Sequence, residues 1–270
     1  MLDRLERRVL GAIRLIDATT GRPLHRPLSV SAEGVRFLVN RAQLYVISQA
    51  PGLEAHSAAF AAPPETPTTG SAPIEITIDD PLGEYLPRRA TIPLPRSAAP
   101  GADEPDLFAP EAVSVLPSPN AALRQNWSGV RLSLRLADDR PVRGALINLR
   151  RHAGDEDPDG GEEELVASGL SDERGEALVI LPGLPVSRSA GASEPGEEPP
   201  PDTDDGEVTT PETPVTLEIV VDPDLPWPVD PTRLMANRAQ WRRAVEDGTV
   251  DLATGRVVHL NLQISLSDGP

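Results

Sequence analysis

Residues 129–141 read GVRLSLRLADDRP, and this stretch decides the fold that the sequence predicts. Apolar side chains occupy every second position from Val130 to Leu136, and arginine and serine fill the positions between them. A strand turns successive side chains to opposite faces, so this alternation is typical of a strand with one buried face. The ADDRP that follows has the composition of a turn. The stretch therefore predicts a half-buried β-strand that ends in a tight turn.

A second stretch near the N-terminus shows the same features in the same order. Residues 11–23 read GAIRLIDATTGRP, which contains a glycine, a strand-like run, an acidic turn and an Arg-Pro pair. Alternating runs recur at residues 74–78 and 258–264. The 31 prolines and 21 glycines favour many short strands joined by turns over long helices. We predict an all-β protein built from two copies of one β-sandwich plan.

The 270 residues divide by composition into two modules and a linker. We predict an N-terminal sandwich over residues 1–96, a linker rich in proline, alanine and acidic residues over 97–120, and a C-terminal sandwich over 121–270. One short helix is predicted in the C-terminal module over residues 231–247. Asp230 suits its N-cap, Pro231 its first position and Gly248 its end.

The negative charge of the chain is concentrated in two tracts. The chain has 25 basic residues, all of them arginine, against 42 acidic residues, for a net charge of −17. Residues 154–164 hold seven acidic residues and residues 189–214 hold eight, and neither stretch has a basic residue. Such tracts offer little apolar surface to offset the entropy of ordering them. We predict acidic insertions at 154–164 and 188–214 on a nearly neutral body, and we expect the second to be dispensable for folding.

The sequence lacks residue types that many active sites and cofactor sites require. It has no cysteine and no lysine, which excludes thiol nucleophiles, Cys-ligated zinc, Schiff-base lysines and the lysine of a P-loop. No HExxH or GxSxG motif is present. The histidines are scattered along the chain, at His25, His56, His152 and His259. We therefore expect a protein that is not an enzyme and that has no cofactor.

The first acidic tract contains an incomplete calcium motif. Asp155, Asp157 and Asp159 precede Gly160 and reproduce the D-x-D-x-D-G opening of a calcium loop. The twelfth position of that loop requires a bidentate glutamate, and Val166 stands there instead. The pattern favours a solvated acidic hairpin tip over a calcium site. If calcium binds here, we expect weak, millimolar affinity.

Two further groups of residues each allow two interpretations. The predicted helix carries Arg233, Arg238, Arg242 and Arg243, which would suit either a nucleic-acid contact or a solvated face that pairs with the chain's own acidic tracts. The net charge favours the second, so we expect no nucleic-acid partner. Trp227, in a Pro-rich turn, would either present its ring to a sugar or a partner, or pack against the helix. The sequence favours packing.

Nothing in the sequence predicts membrane insertion. No stretch approaches the roughly 20 apolar residues that span a bilayer. The first residues, MLDRLERRVLGAIRLID, have charges throughout and lack the apolar core of a signal peptide. We expect a soluble, cytoplasmic protein.

Several motifs of the second module together resemble a known family. The resemblance is carried by GVRL at 129–132, RPVRGALINL at 140–149, GLSDERGEA at 169–177 and LPGL at 181–184. These motifs resemble those of the carboxypeptidase regulatory-like group of transthyretin-type (immunoglobulin-like) β-sandwiches. The resemblance implies that a second strand follows the Pro-Val turn and that Gly175 takes a turn conformation before a core-facing strand. The chain departs from the family where the two acidic insertions stand. The N-terminal layout is similar to accessory proteins of bacterial phage-tail-like contractile injection clusters.

Together these features predict a structural protein. We expect a non-enzymatic, bacterial docking protein whose modules present edge strands and loops to protein partners. The alternative is a carbohydrate-binding accessory module. Clustered surface aromatics would support that alternative, and an aromatic content of only 3% weakens it.

Overall fold

The computed structural model describes residues 8–59, 64–102, 104–152, 163–184, 212–243, 245 and 248–266. Their regular structure consists of four β-sheets and three helices of six residues or fewer. The predicted all-β fold class is confirmed. Within these ranges, no helix combines the length and the apolar character needed to cross a membrane.

The N-terminal module is a sandwich of two sheets. Its elements are β1 (Gly11–Asp17), β2 (Ser29–Ser31), β3 (Arg36–Val39), β4 (Leu44–Gln49), α1 (Glu54–Ala58), β5 (Ala72–Asp79), β6 (Arg88–Leu94) and β7 (Glu111–Val115). One sheet has the order β3-β4-β1-β7 and the other the order β2-β5-β6. The alternate side chains that point inward form one apolar core, in which Ile13, Ile47, Ile76 and Ile92 are fully buried.

The C-terminal module is a second sandwich with a separate core. Its elements are β8 (Ser128–Leu136), β9 (Leu146–His152), β10 (Glu163–Leu170), β11 (Glu176–Leu181), β12 (Thr213–Val220), α2 (Pro231–Ala236), α3 (Arg238–Trp241), β13 (Arg242–Arg243), β14 (Thr249–Leu252) and β15 (Val257–Ile264). One sheet has the order β11-β8-β15. The other has the order β10-β9-β12, and β12 also pairs with β13 and β14. Leu132, Leu134, Ile147 and Leu149 are buried between them.

The two modules share one plan. Strand β1 pairs antiparallel with β4 and parallel with β7, and β8 pairs in the same way with β11 and β15. After each first strand the chain turns back to an Arg-Pro pair. The backbone N–H of Asp17 donates to the carbonyl of Arg22, and that of Leu136 donates to Arg140, both at 2.9 Å. The repeat predicted from residues 11–23 and 129–141 therefore corresponds to a repeated strand-and-turn unit.

The modules differ in the pairing of one edge strand. In the N-terminal module β3 pairs with β4, whereas in the C-terminal module β10 pairs with β9 in the opposite sheet. Both strands lie at the edge of a sheet, so this difference between the modules leaves the pairing of the central strands the same.

The helix predicted over 231–247 is correct at its start and wrong in its length. The Asp230 carboxylate accepts a hydrogen bond from the N–H of Thr232 at 2.9 Å, and Pro231 takes the first position. The helical stretch consists of two short helices, α2 and α3, and α3 ends at Trp241. It ends there because the next two residues form β13, which pairs with β12. This pairing buries Arg243. The N-terminal module also contains a short helix, α1, which the sequence did not predict.

Three predicted boundaries also differ from the structure. The stretch predicted as a linker, 97–120, contains β7, which extends the N-terminal sheet beside β1. The predicted insertions at 154–164 and 188–214 each end inside a strand, since β10 begins at Glu163 and β12 at Thr213. Cross-strand pairing with β9 and β14 orders these residues. Asp155, Asp157 and Asp159 lie outside the described residues.

Candidate functional site: the joint between the modules and the sheet face beside it

The two modules meet at an apolar cluster that is separate from both cores. Every member of this cluster is 6% exposed or less. The N-terminal module contributes Leu86 and Leu116, and the C-terminal module contributes Leu146, Leu170, Val220, Val229 and Leu234. Apolar burial of this kind stabilises an interface by removing its surface from water. We call this cluster the joint.

A buried arginine lies beside the joint. Arg88, at the start of β6, is 4% exposed. Its Nη2 lies 3.1 Å from Asp230 Oδ1 and donates to Thr232 Oγ1 at 3.2 Å. Its Nη1 donates to the carbonyl of Ser114. Burial lowers the pKa of Arg88, and the charge of Asp230 opposes that shift. The guanidinium therefore links β6 and β7 of one module to α2 of the other.

The outer face of the β10-β9-β12 sheet changes from apolar to polar with distance from the joint. Leu146, Asn148 and Arg150 alternate along β9, so their side chains lie on this face in a row. Asn148 Nδ2 donates to Glu218 Oε2 at 2.9 Å, and Ser168 Oγ donates to Asn148 Oδ1 at 2.8 Å. Asn148 therefore connects strands β10 and β12 through its side chain.

Glu218 is the buried charge at the polar end of this face. Its side chain is 3% exposed, and its Oε2 also accepts a hydrogen bond from Arg150 Nε at 3.0 Å. Its Oε1 lies 3.8 Å from Arg238 Nη1 and 3.8 Å from Arg242 Nε. Burial alone would raise the pKa of Glu218, but the hydrogen bonds from Asn148 and Arg150 outweigh it and hold the pKa below its usual range.

A cavity of about 540 Å³ opens above this carboxylate. We call it the Glu218 pocket. It is lined by Arg150, Glu163, Glu218, Arg238, Ala239 and Arg242. With three arginines against two glutamates, the lining has a positive balance in a chain whose net charge is −17.

A second cavity, of about 400 Å³, lies where the modules meet, and we call it the inter-module cleft. Eight of its twelve lining residues are apolar. They are Ala18, Leu116, Leu146, Leu165, Val166, Ala167, Pro231 and Met235, and the polar ones are Arg88, Ser114, Ser168 and Thr232. Met235 Sδ lies 3.9 Å from Asn148 Nδ2, so the cleft and the Glu218 pocket are neighbours on one face.

Strand β10 forms one wall of the cleft and is an edge strand. Its register with β9 shifts between Leu165 and Ala167, which leaves Val166 as the extra residue of a β-bulge. In a regular strand residues 165 and 168 would face opposite ways, but the bulge lets Leu165 and Ser168 both line the cleft. Leu165 is 41% exposed, so its apolar side chain is accessible to a molecule that enters the cleft.

The residues singled out in the sequence analysis are not brought together. His25 and His259 are exposed and His56 is buried. Among the described residues, no group of three or more His, Asp or Glu side chains could hold a metal ion. Asp17 accepts hydrogen bonds from the N–H groups of Thr19 and Thr20, which confirms its predicted role in a turn.

The arginines and tryptophans have structural surroundings. Arg238 and Arg242 face Glu218. Their pairing with the acidic tracts stays a prediction, because most of these tracts lies outside the described residues. Trp227 and Trp241 are half-buried against the joint, which confirms the prediction that Trp227 packs. Trp127 is also half-buried, with Arg124 above its ring at 4.9 Å.

Sequence reasoning missed Arg88, Asn148 and Glu218. One signal was available, since Asn148 and Glu218 each interrupt an otherwise apolar run, in ALINL and TLEIV. A polar residue inside a buried run needs a hydrogen-bonding partner, and these two residues are partners of each other.

No protein-family model matches this chain, and no curated protein matches it. Solved structures similar to it include the Bacillus anthracis TIE protein, at 9% identity and a TM-score of 0.26, covering 94% of this chain and 33% of that one. Another is GBS52, the minor pilin of Streptococcus agalactiae, at 8% identity and a TM-score of 0.25, covering 86% of this chain and 68% of that one. The chain thus spans a third of the length of the first of these structures.

Proposed function

We propose that this chain is a non-enzymatic docking protein that receives an extended, apolar segment of a protein partner in the inter-module cleft. The observation that carries the proposal is Leu165, a 41% exposed leucine on an edge strand that lines an apolar cleft. Cavities with a mostly apolar lining that is open to solvent are typical of binding sites on soluble proteins.

The edge position of β10 supports binding of an extended segment. An edge strand has backbone N–H and C=O groups on one side that no neighbouring strand uses, and a partner strand can pair with them. Pockets beside the edge then select the partner's side chains. The cleft lies beside β10 and has the apolar lining that such selection requires.

The joint supports the proposal because it holds the two walls of the cleft together. The cleft takes residues from both modules, and the joint cluster and Arg88 lie directly beside it. A preformed cavity loses less conformational entropy when a ligand binds than two modules that must first come together.

Selection from a phage-displayed library of random linear peptides tests this function. We expect the selected peptides to share an apolar anchor residue and to lose roughly tenfold or more in affinity for a Leu165→Ser variant, because the anchor loses its apolar contact. Leu38→Ser is the matched control, since Leu38 is 52% exposed on the edge strand β3 of the other module. Peptides that bind both variants equally well would contradict the cleft as the docking site.

The sequence resemblances add two proposals about the family and the setting of this chain. We propose that residues 121–270 form a carboxypeptidase regulatory-like domain, and that the whole chain acts in the cytoplasm as an accessory protein of a contractile injection cluster. The carbohydrate-binding alternative would need clustered, exposed aromatic rings; Phe108 is 76% exposed, whereas the three tryptophans are half-buried.

A further inference from the structure

Two of the arginines that line the Glu218 pocket have N–H donors that the Glu218 carboxylate does not use. Oε2 of Glu218 accepts two hydrogen bonds, from Asn148 and Arg150. Among the described residues, Oε1 contacts only the guanidinium groups of Arg238 and Arg242, both at 3.8 Å, a distance beyond that of a hydrogen bond. Within the described part of the chain, neither Arg238 nor Arg242 donates a hydrogen bond through its side chain.

These two arginines are accessible from solvent. The Arg238 side chain is 47% exposed and the Arg242 side chain is 58% exposed, and both line the cavity. Arginine presents several N–H donors in a planar fork that matches the two oxygens of a carboxylate. The pair therefore has donors available for an anion that enters the pocket.

Regular structure fixes the backbone of both arginines. Arg242 pairs with Val220 in the sheet, and the carbonyl of Trp241 accepts a hydrogen bond from the N–H of Val221 at 3.0 Å. Trp241 packs against the joint. Arg238 lies one helical turn before Arg242, since the N–H of Arg242 bonds to the carbonyl of Arg238. Because regular structure already orders this backbone, binding costs little further backbone conformational entropy.

We propose that the Glu218 pocket binds an acidic side chain of the docked partner segment, with its carboxylate held by Arg238 and Arg242. Glu218 acts as the internal counterion that aligns the two guanidinium groups while the pocket is empty. The proposal rests on the proposed docking function, because it assigns a second contact to the segment that occupies the cleft.

The distance between the two cavities predicts how far apart the apolar and the acidic residue lie along the partner segment. Leu146 lines the cleft and Arg150 lines the Glu218 pocket, on the same strand and the same face. Four residues of strand cover about 13 Å. An extended partner segment would therefore place an apolar residue in the cleft and an acidic residue about four positions away.

Calorimetric titration with two synthetic peptides, tetraglutamate and tetraglutamine, tests the acidic contact. At low ionic strength we expect binding of tetraglutamate alone, because tetraglutamine has the same length without the charge. Arg238→Gln/Arg242→Gln should weaken that binding roughly tenfold or more. The matched control is Arg233→Gln, which removes an exposed arginine of α2 that does not line the pocket, and its affinity should equal that of the parent protein.

A variant with the opposite expected effect makes the test sharper. Glu218→Gln keeps the shape of the side chain but removes the internal counterion, so tetraglutamate should bind several-fold more tightly. If this variant does not fold, as checked by circular dichroism, the exposed arginine pair still decides the question. Equal binding by the arginine double variant and the parent, or an equal loss in Arg233→Gln, would overturn the proposal.

Two further measurements distinguish carboxylate binding in the Glu218 pocket from general anion binding and from docking in the cleft. Binding of inorganic phosphate without binding of tetraglutamate would overturn the assignment to a carboxylate. Leu165→Ser should leave tetraglutamate binding unchanged, because Leu165 does not line the Glu218 pocket. If the displayed peptides fail while tetraglutamate binds, the docking function in the cleft is wrong and the carboxylate site stands.

Discussion

Arg88 of the N-terminal module and Asp230 of the C-terminal module form an ion pair of 3.1 Å beside the joint. Asp230 is also the N-cap of α2, so one carboxylate both begins a helix and binds the neighbouring module. The backbone strengthens this connection, because the N–H of Arg89 donates to the carbonyl of Val229 at 2.8 Å. The position of α2, and with it one wall of the inter-module cleft, therefore depends on this pair.

We predict that removing either member of this pair destabilises the protein strongly. Arg88→Ala should lower the free energy of unfolding by about 3–5 kcal/mol, because it leaves Asp230 without its cation and opens a gap beside the joint. Asp230→Asn should be less damaging than Asp230→Ala, since asparagine still caps the helix and a lost cap costs about 1 kcal/mol. Equilibrium unfolding in urea measures these differences.

The control for this prediction is an exposed ion pair of similar composition. Arg151 and Glu164 lie 3.3 Å apart, with side chains 46% and 59% exposed. Exposed pairs contribute about 0–1 kcal/mol, so Glu164→Gln should change the stability little. A similar small change in Arg88→Ala would show that this ion pair does not hold the modules together.

The stability should also depend on pH through Asp80. This buried carboxylate accepts hydrogen bonds from both terminal nitrogens of Arg26, at 2.8 and 2.6 Å, and from backbone N–H groups that include those of Leu82 and Tyr85. Burial alone would raise the pKa of Asp80, but these donors, led by Arg26, lower it to about 2. A carboxylate with a lowered pKa in the folded state stabilises the fold above its unfolded pKa near 4.

That stabilisation, about 2 kcal/mol, should be lost as the pH falls from about 4 to about 2. We expect Asp80→Asn to be less stable than the parent protein at pH 6, and the difference between them to shrink as the pH falls through this range. Thermal unfolding at a series of pH values measures it. A difference that stays constant from pH 6 to pH 2 would contradict the assignment to Asp80.

Much of the fold was predictable from local sequence because its strands have one buried face. The alternation that began the sequence analysis corresponds to β8, and the run at 258–264 corresponds to β15 beside it. In each of these strands, apolar and polar residues alternate with a period of two, and this pattern can be recognised from the strand's own sequence.

The features that sequence reasoning missed depend on contacts between distant residues. Residues 242–247 continue a helical pattern, and only the position of β12 explains why Arg242 and Arg243 pair as a strand instead. Burial of Glu218 depends on Asn148 and Arg150, which lie 70 and 68 residues away along the chain. The sequence marks Asn148 and Glu218 as polar residues within apolar runs, but it does not show which distant residues pair with them, so the Glu218 pocket could not be predicted.

The turn at Gly175 provides a prediction with a matched control in the same module. Gly175 has a φ of +78°, as the family resemblance implied, and an added Cβ would clash with the carbonyl oxygen of Leu134. Gly183 has the same φ of +78°, but no atom of the described residues lies within 4 Å of the position that an added Cβ would take. Gly183→Ala should therefore cost only the strain of its left-handed backbone, about 1–2 kcal/mol. Gly175→Ala should cost clearly more, and equal losses on urea unfolding would contradict this steric explanation.

The second acidic tract remains a prediction from sequence, now with a corrected boundary. Residues 188–211 have no apolar periodicity, and we expect their replacement by a short Gly/Ser linker to leave the melting temperature within a few degrees. A deletion that continues through residue 214 should lower the melting temperature more. It removes Thr213 and Pro214 at the start of β12, and these residues pair with Leu252 and Asp251 of β14. Differential scanning calorimetry of the two deletions compares them directly. A large drop in melting temperature for the shorter deletion would show that the tract contributes to the fold, whereas equal, small effects would show that the first residues of β12 are dispensable.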